Sequence, residues 1–145
     1  MREILFKAKL KGRNQWIEGF YCSMRETTYC FAEDYERHPV PLHHLIAVDE
    51  MTDWGLPNQL RLYEIDPETL CEYTGLTDKN GKKIFENDIV KEQYGTAVVK
   101  YGEYNCSCCD GVYGWYFEGG DIRDNTSYEV TGNVLENSEQ EESNH

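Results

Sequence analysis

Apolar and polar side chains alternate with a two-residue period through several short stretches of this chain, and glycine, proline, asparagine or aspartate bounds each stretch. That pattern predicts strands rather than helices. Ile4 to Leu10, a turn at Lys11-Gly12-Arg13-Asn14, and Gln15 to Cys22 read as an amino-terminal hairpin, with Trp16 and Phe20 spaced to share a face. From Ser23 to Gln59 the alternation weakens. A strand is expected at Thr28 to Phe31, a break at Pro39-Val40-Pro41, and a further strand at Leu45 to Val48. Leu60 to Ile65 alternates and is rich in branched and aromatic side chains, which suit a strand. Asp66-Pro67-Glu68-Thr69 combines an N-cap residue, a proline fitted to the first helical position and an acid in the first turn, so one helical turn is expected there.

The second half is denser in turn signals. Asn80-Gly81 predicts a tight primed turn, in which both central residues take positive φ, joining the segment around Leu76 to Lys83-Ile84-Phe85. Strands are expected next at Ile89 to Glu92, Thr96 to Tyr101, Gly114 to Glu118 and Glu129 to Leu135. Short strands following one another in this way predict a small barrel.

The chain has 145 residues, enough for one domain, or a domain and a small companion, with a hydrophobic core of its own. Apolar residues make up 39% of it, with 11 Tyr and 3 Trp, so aromatic side chains must supply much of the buried area. A formal charge of −13 repels a phosphate backbone, and only the Lys79 to Lys83 turn is locally basic; direct nucleic-acid binding is not expected. Part of the acidity lies in Glu136, Glu139, Glu141 and Glu142, in an end segment that reads as a disordered acidic tail over residues 137–145. The opening Ile4-Leu5-Phe6 is too short for a signal-peptide core or a membrane span, so a cytoplasmic protein is expected, with six cysteines that are mostly free thiols.

The run from Tyr73-Thr74-Gly75-Leu76 through Asn80-Gly81 to Asn87-Asp88-Ile89-Val90 resembles the signature block of the YopX family of phage and prophage proteins. Arg2-Glu3-Ile4-Leu5-Phe6 and Trp16-Ile17-Glu18-Gly19-Phe20-Tyr21 are similar to that family's opening, and Glu129-Val130-Thr131-Gly132-Asn133-Val134 to its later motif. The resemblance implies a mainly β protein with an SH3-like barrel over 71–136, preceded by an amino-terminal hairpin and connecting segment over 1–70, with little helix. It implies no established biochemical activity. Thr74, Gly75, Asn80, Gly81, Asp88, Gly132 and Asn133 are the motif residues expected to serve structure. Asn87 stands where the family usually has glycine; asparagine tolerates the left-handed backbone, so the turn should form.

Cys106-Ser107-Cys108-Cys109 is the one dense set of soft ligands, which with Cys71 or a histidine would hold zinc. Against that, a second Cys-x-x-Cys is missing and adjacent Cys108 and Cys109 on a strand would point to opposite faces. His38, His43 and His44 cluster after no nucleophile or paired carboxylate, and read as a polar loop. Asp88 precedes an apolar strand, where a carboxylate caps backbone amides of the preceding turn. No Gly-rich phosphate loop or nucleophile elbow occurs, so neither catalysis nor a cofactor is expected.

Tyr94, Tyr101, Tyr104, Tyr113, Trp115, Tyr116 and Phe117 form the densest aromatic set. Of these, Tyr113, Trp115, Tyr116 and Phe117 are the candidate binding residues, with Trp115 and Phe117 on one face of a strand and Tyr116 on the other. The expected function is a non-enzymatic, protein-binding, homo-oligomeric accessory protein. An acidic inhibitor imitating nucleic acid, and a zinc module built on Cys106, Cys108 and Cys109, are the alternatives.

Overall fold

The structure, a computed structural model, describes residues 2–92, 95–106, 109–118 and 128–136. Side chains within 104–112 lie outside the description. The chain is mainly β and divides into two compact units: Leu5–Leu70, and Met1–Ile4 with the residues from Cys71 onward.

The first unit contains β1 (Phe6–Lys9), β2 (Trp16–Arg25), a short helix α1 (Ala32–Arg37), β3 (Leu42–Glu50) and β4 (Gln59–Glu64). Its sheet runs β4-β3-β2-β1, antiparallel throughout. The hairpin expected at the amino terminus is thus two strands of a four-stranded sheet. Past β4 the chain turns back across the sheet. Ile65 N donates to His44 O at 3.0 Å, Lys11 N to Glu64 O at 3.1 Å and Asp66 N to Lys9 O at 2.9 Å. A bridge between Leu10 and Ile65 brings the two ends of the sheet together. The inner face therefore carries Ala8, Ile46 and Ile65, packed by Phe6, Ile17, Tyr21, Val48 and Leu70.

Trp16 and Phe20 do share a face, the one opposite Ile17 and Tyr21; Phe20 is exposed and Trp16 half-buried. Both alternating sets on this strand are partly apolar, so the choice of inner face falls to packing against Ala8 and Ile46. Gly19 explains part of that choice. It lies where the β2 and β3 backbones come close, and a Cβ at this position would sit 2.4 Å from the Ala47 carbonyl oxygen.

No strand forms at Thr28 to Phe31. That segment leads into α1, and its backbone bonds to a side chain instead of a ladder: Tyr29 N donates to Tyr35 Oη at 2.9 Å, and the two rings meet edge to face at 5.1 Å. Glu33 and Asp34 in the first turn and Arg37 in the last suit the helix dipole. The turn expected at Asp66 to Thr69 is present as a single 3-10 turn, Pro67–Thr69, and Asp66 Oδ1 accepts from Glu68 N.

In the second unit β5 (Cys71–Thr77) and β6 (Lys83–Phe85) form a hairpin, and β7 (Asp88–Glu92), β8 (Gly95–Cys106), β9 (Cys109–Glu118) and β10 (Glu129–Asn133) form a sheet in the order β10-β7-β8-β9. Ile84 from the hairpin packs with Val90, Ala97, Val99, Tyr128 and Val130 of the sheet, and Trp115 and Phe117 lean on them. The expected closed barrel does not form among the described residues. The hairpin lies over the sheet as a second layer, tied by isolated bonds such as Lys79 N to Tyr128 O at 3.0 Å rather than by a ladder. After Asn133 the chain leaves the sheet for a helical turn at 134–136, short of the expected end at Leu135.

The Asn-Gly turn differs too. Gly81 has φ 80°, while Asn80 keeps negative φ. The connection is a longer one, closed by Gly81 N to Asp78 O at 3.0 Å and Asp78 N to Lys82 O at 2.8 Å. A two-residue primed turn would leave the Asp78 carboxylate without the amides it collects. Asn87 takes φ 67°, the left-handed conformation that asparagine accepts.

Replacing Gly19 by alanine would force β2 away from the Ala47 carbonyl. We expect Gly19→Ala to lower stability by about 1–3 kcal/mol, the cost of overpacking a tight site, read as a drop in the urea midpoint. An unchanged midpoint would mean that the strands separate there freely.

Candidate functional site

Beyond Val98, β8 has outrun β7 and continues with β9 alone, since β7 reaches only from Gly95 to Val98. On this ribbon Tyr101 lies opposite Trp115, Val99 opposite Phe117 and Glu103 opposite Tyr113, so all six share a face. The ring centroids of Tyr101 and Trp115 are 4.9 Å apart at 65°, and those of Tyr101 and Tyr113 5.4 Å apart at 80°. Phe117 meets Tyr128 edge to face at 4.8 Å.

These contacts make a ladder that starts in the core and ends in water. Phe117 and Trp115 rest on the core cluster, while Tyr101 is 52% exposed and Tyr113 69%. Edge-to-face rings fix one another's rotamers, so the exposed tyrosines present apolar faces and hydroxyls with little freedom left to lose on binding. Of the candidate binding residues, Tyr113 and Trp115 come together with Tyr101. Phe117 turns inward, and Tyr116 takes the opposite face beside Lys100.

The motif residues converge on a different place. Asp88 is fully buried; its Oδ2 accepts from Phe85 N at 2.8 Å, and its Oδ1 from Asn133 Nδ2 at 2.9 Å. Asn133 Oδ1 accepts in turn from Leu135 N. Thr74 Oγ1 donates to Ile84 O, and Gly75, with φ 89°, lies in the register break between Tyr73 and Thr77. Gly132 follows a similar break in β10.

Asp78 was not singled out from the sequence, yet it ties its own turn to β10. Its Oδ1 accepts from Asn80 N at 2.9 Å and Lys82 N at 2.8 Å, and its Oδ2 from Val130 N at 3.0 Å. Those amides, Val130 first, hold its pKa below the ordinary carboxylate value. The nearest sequence signal is an Asx residue two positions before a glycine turn.

The three histidines separate. His38 ends α1 with its N–H on Asp34 O. His43 and His44, adjacent on β3, point to opposite faces. His44 Nδ1 is 2.6 Å from the Tyr21 hydroxyl, beside an open cleft of about 450 Å³ that Lys11, Glu64 and Asp66 also line. His43 lies between two carboxylates, with Nδ1 2.8 Å from Glu64 and Nε2 3.3 Å from Glu26; Lys11 Nζ is 3.3 Å from the same Glu64 oxygen. The hydrogen bonds to Glu64 and then Glu26 raise the His43 pKa, and the bonds from His43 and Lys11 lower that of Glu64. A polar loop is the wrong description of these residues, because both imidazoles belong to a strand.

Cys71 is buried, with the amide nitrogens of Asn87 and Asn133 at 3.8 and 4.0 Å from its sulfur. Cys106 and Cys109 face each other across the β8–β9 register; Cys108, and the side chains of Cys106 and Cys109, lie outside the described residues. Among the described residues no group of three or more His, Cys, Asp or Glu is placed to hold a metal ion, and no helix is long and apolar enough to cross a membrane.

A family model described as YopX protein matches residues 5–140. No curated protein matches the chain.

Asp88→Ala would take from Phe85 N its carboxylate acceptor and leave Asn133 Nδ2 the longer bond to Glu86 O at 3.4 Å. At about 1–3 kcal/mol for an orphaned buried group, we expect a loss of about 1–3 kcal/mol in urea unfolding; a loss below about 0.5 kcal/mol would show that the network is not essential to the fold. The His43 contact has a pH signature. Because its pKa is raised, its contribution is full below the ordinary value of 6.5 and is lost as pH rises through the folded value. Glu64, shifted down from 4.5, contributes above that value and loses its effect as pH falls through the depressed one. The melting temperature should therefore decline as pH rises past 6.5, and His43→Gln should flatten that decline. An identical slope in both proteins would remove His43 as its source.

Proposed function

The chain belongs to the YopX family, and from that membership we propose a phage- or prophage-derived accessory protein that acts in the bacterial cytoplasm by binding another protein, without catalysis. One observation carries the reading: the rigid Tyr101–Trp115–Tyr113 ladder stands half out of water on a ribbon of two strands. A two-stranded ribbon is marginal by itself, and a partner laid on the aromatic face would both dry the rings and brace the strands. Tyrosine and tryptophan are the residues that supply most interface energy per side chain.

The excess of acid suits a second reading, in which the chain imitates nucleic acid toward a host DNA-binding or defence protein. The two differ in what salt does. Charge-driven association weakens steeply as ionic strength rises, and an aromatic contact does not.

Tagged protein passed over host lysate at low and high salt tests this directly. We expect a captured protein that survives high salt and that Trp115→Ala binds at least about 30-fold more weakly, the loss of a hot-spot aromatic. Capture lost at high salt and indifferent to Trp115→Ala would replace this reading with the acidic mimic. No capture in either condition would overturn both.

A further inference from the structure

We infer that the outer edge of β4 takes up one extended strand from a partner protein, a segment that alternates apolar with polar side chains and carries a basic residue at the Leu60 end. β4 ends the sheet of the first unit and pairs with β3 through six residues in unbroken register. Its other side is an edge.

The register fixes which backbone groups face outward. Ile65 N donates to His44 O at 3.0 Å on one side of β3, and Glu26 N to Pro41 O at 3.2 Å on the other. Bonded and non-bonded pairs alternate along an antiparallel ladder, so the even-numbered residues of β3 bond toward β4, where they meet Gln59, Arg61 and Tyr63. Leu60, Leu62 and Glu64 turn N–H and C=O the other way, and Lys11 N takes Glu64 O at 3.1 Å. Among the described residues the four groups of Leu60 and Leu62 have no partner. Edges of this kind are ordinarily blunted by proline, lysine or a bulge. β4 has none of the three.

The side chains select the kind of strand. Leu62, 53% exposed, lies in a cross-strand row with Ala47 and Phe20, while Leu60, 70% exposed, lies opposite Asp49. An added strand continues those rows, and apolar side chains at its alternate positions would cover both leucines. Asp49 is exposed on the same face, and among the described residues its carboxylate has no ion pair. It stands two strand spacings from the added chain, roughly 9–10 Å, within reach of a lysine or arginine whose stem lies across Leu60. On the opposite face Arg61 Nε already pairs with Glu50 at 2.9 Å, so neutral polar residues suit the intervening positions.

A second copy of β4 fits this edge poorly. The one register that engages all four groups within β4 sets Leu60 against Leu62 and Arg61 against Arg61, with like charges directly opposed. The edge also shares no residue with the Tyr101–Trp115–Tyr113 ladder.

The probe is a fluorescent six-residue peptide with valine, valine and lysine at alternate positions and threonine between them, titrated with the full chain and read by anisotropy. We expect saturable binding, weakened at least about 10-fold when the valine and lysine amides are N-methylated, because those donors face Leu60 and Leu62. Methylating the threonine amides, which point away, should leave it unchanged. Leu62→Pro removes one outward N–H and no ladder bond, and should weaken binding by a similar factor with the far-UV spectrum intact. Asp49→Asn should cost about 2- to 5-fold, as an exposed ion pair does, and Trp115→Ala nothing. No saturation up to about 1 mM peptide, or equal binding of the two methylated peptides, would overturn the inference whether or not any variant folds. So would a two-chain mass for the unaltered protein that Leu62→Pro reduces to one, which would give the edge to a second copy.

Discussion

Two buried carboxylates hold the second unit together by collecting backbone amides that the strand ladders leave unpaired. Asp78 takes two amides from its own turn and one from Val130, and Asp88 takes one from the preceding turn and the side-chain amide of Asn133. Each aspartate therefore joins a local bend to β10, which lies 45 to 52 residues further along the chain. Hydrogen bonds to an ionised acceptor are stronger than neutral ones, and a buried carboxylate without them is costly. That combination explains why an open sheet and a short hairpin can be held in register without a barrel's continuous ladder.

A different balance operates in the first unit. Its fully buried centre is Ala8, Ile46 and Ile65, with Phe6, Ile17 and Tyr21 packed against it, and Gly19 stands where β2 and β3 come close. Phe20 and Met24 of β2 and Leu60 and Leu62 of β4 alternate with the inward residues and stand outside, where apolar side chains cost solubility unless something covers them. The His43 contact with Glu64 of β4 and with Glu26, just past β2, fastens one end of that outer face.

Two exposed apolar surfaces have the same physical origin. Both are places where a strand carries more aromatic or aliphatic area than its own sheet can bury: Tyr101 and Tyr113 on the ribbon past β7, Phe20 and Leu62 on the outside of the curled sheet. Both depend on strands that extend rigidly beyond, or outward from, a core already filled.

Read by itself, the chain showed that strands follow one another through its second half, because glycine, asparagine and proline punctuate alternating runs and such breaks act locally; their ends were not all legible, since β8 runs on to Cys106 and β9 starts as early as Cys109, where pairing between the two extends the ladder past the alternating runs. The single turn at Pro67 and the left-handed Asn87 were legible for the same reason. What tertiary structure alone decided was the facing of those strands and their partners. Trp16 to Tyr21 offers two partly apolar sides of equal merit, and only contact with Ala8 and Ile46 selects Ile17 and Tyr21 for the interior. Asn80-Gly81 resembles a primed turn until Val130, far away in sequence, supplies an amide that makes the Asp78-centred loop more favourable. His43 and Glu64 are paired by a register between β3 and β4 that no short-range pattern encodes. Local backbone preference is written residue by residue; side selection and long-range hydrogen bonding are settled only when distant segments compete for the same buried volume.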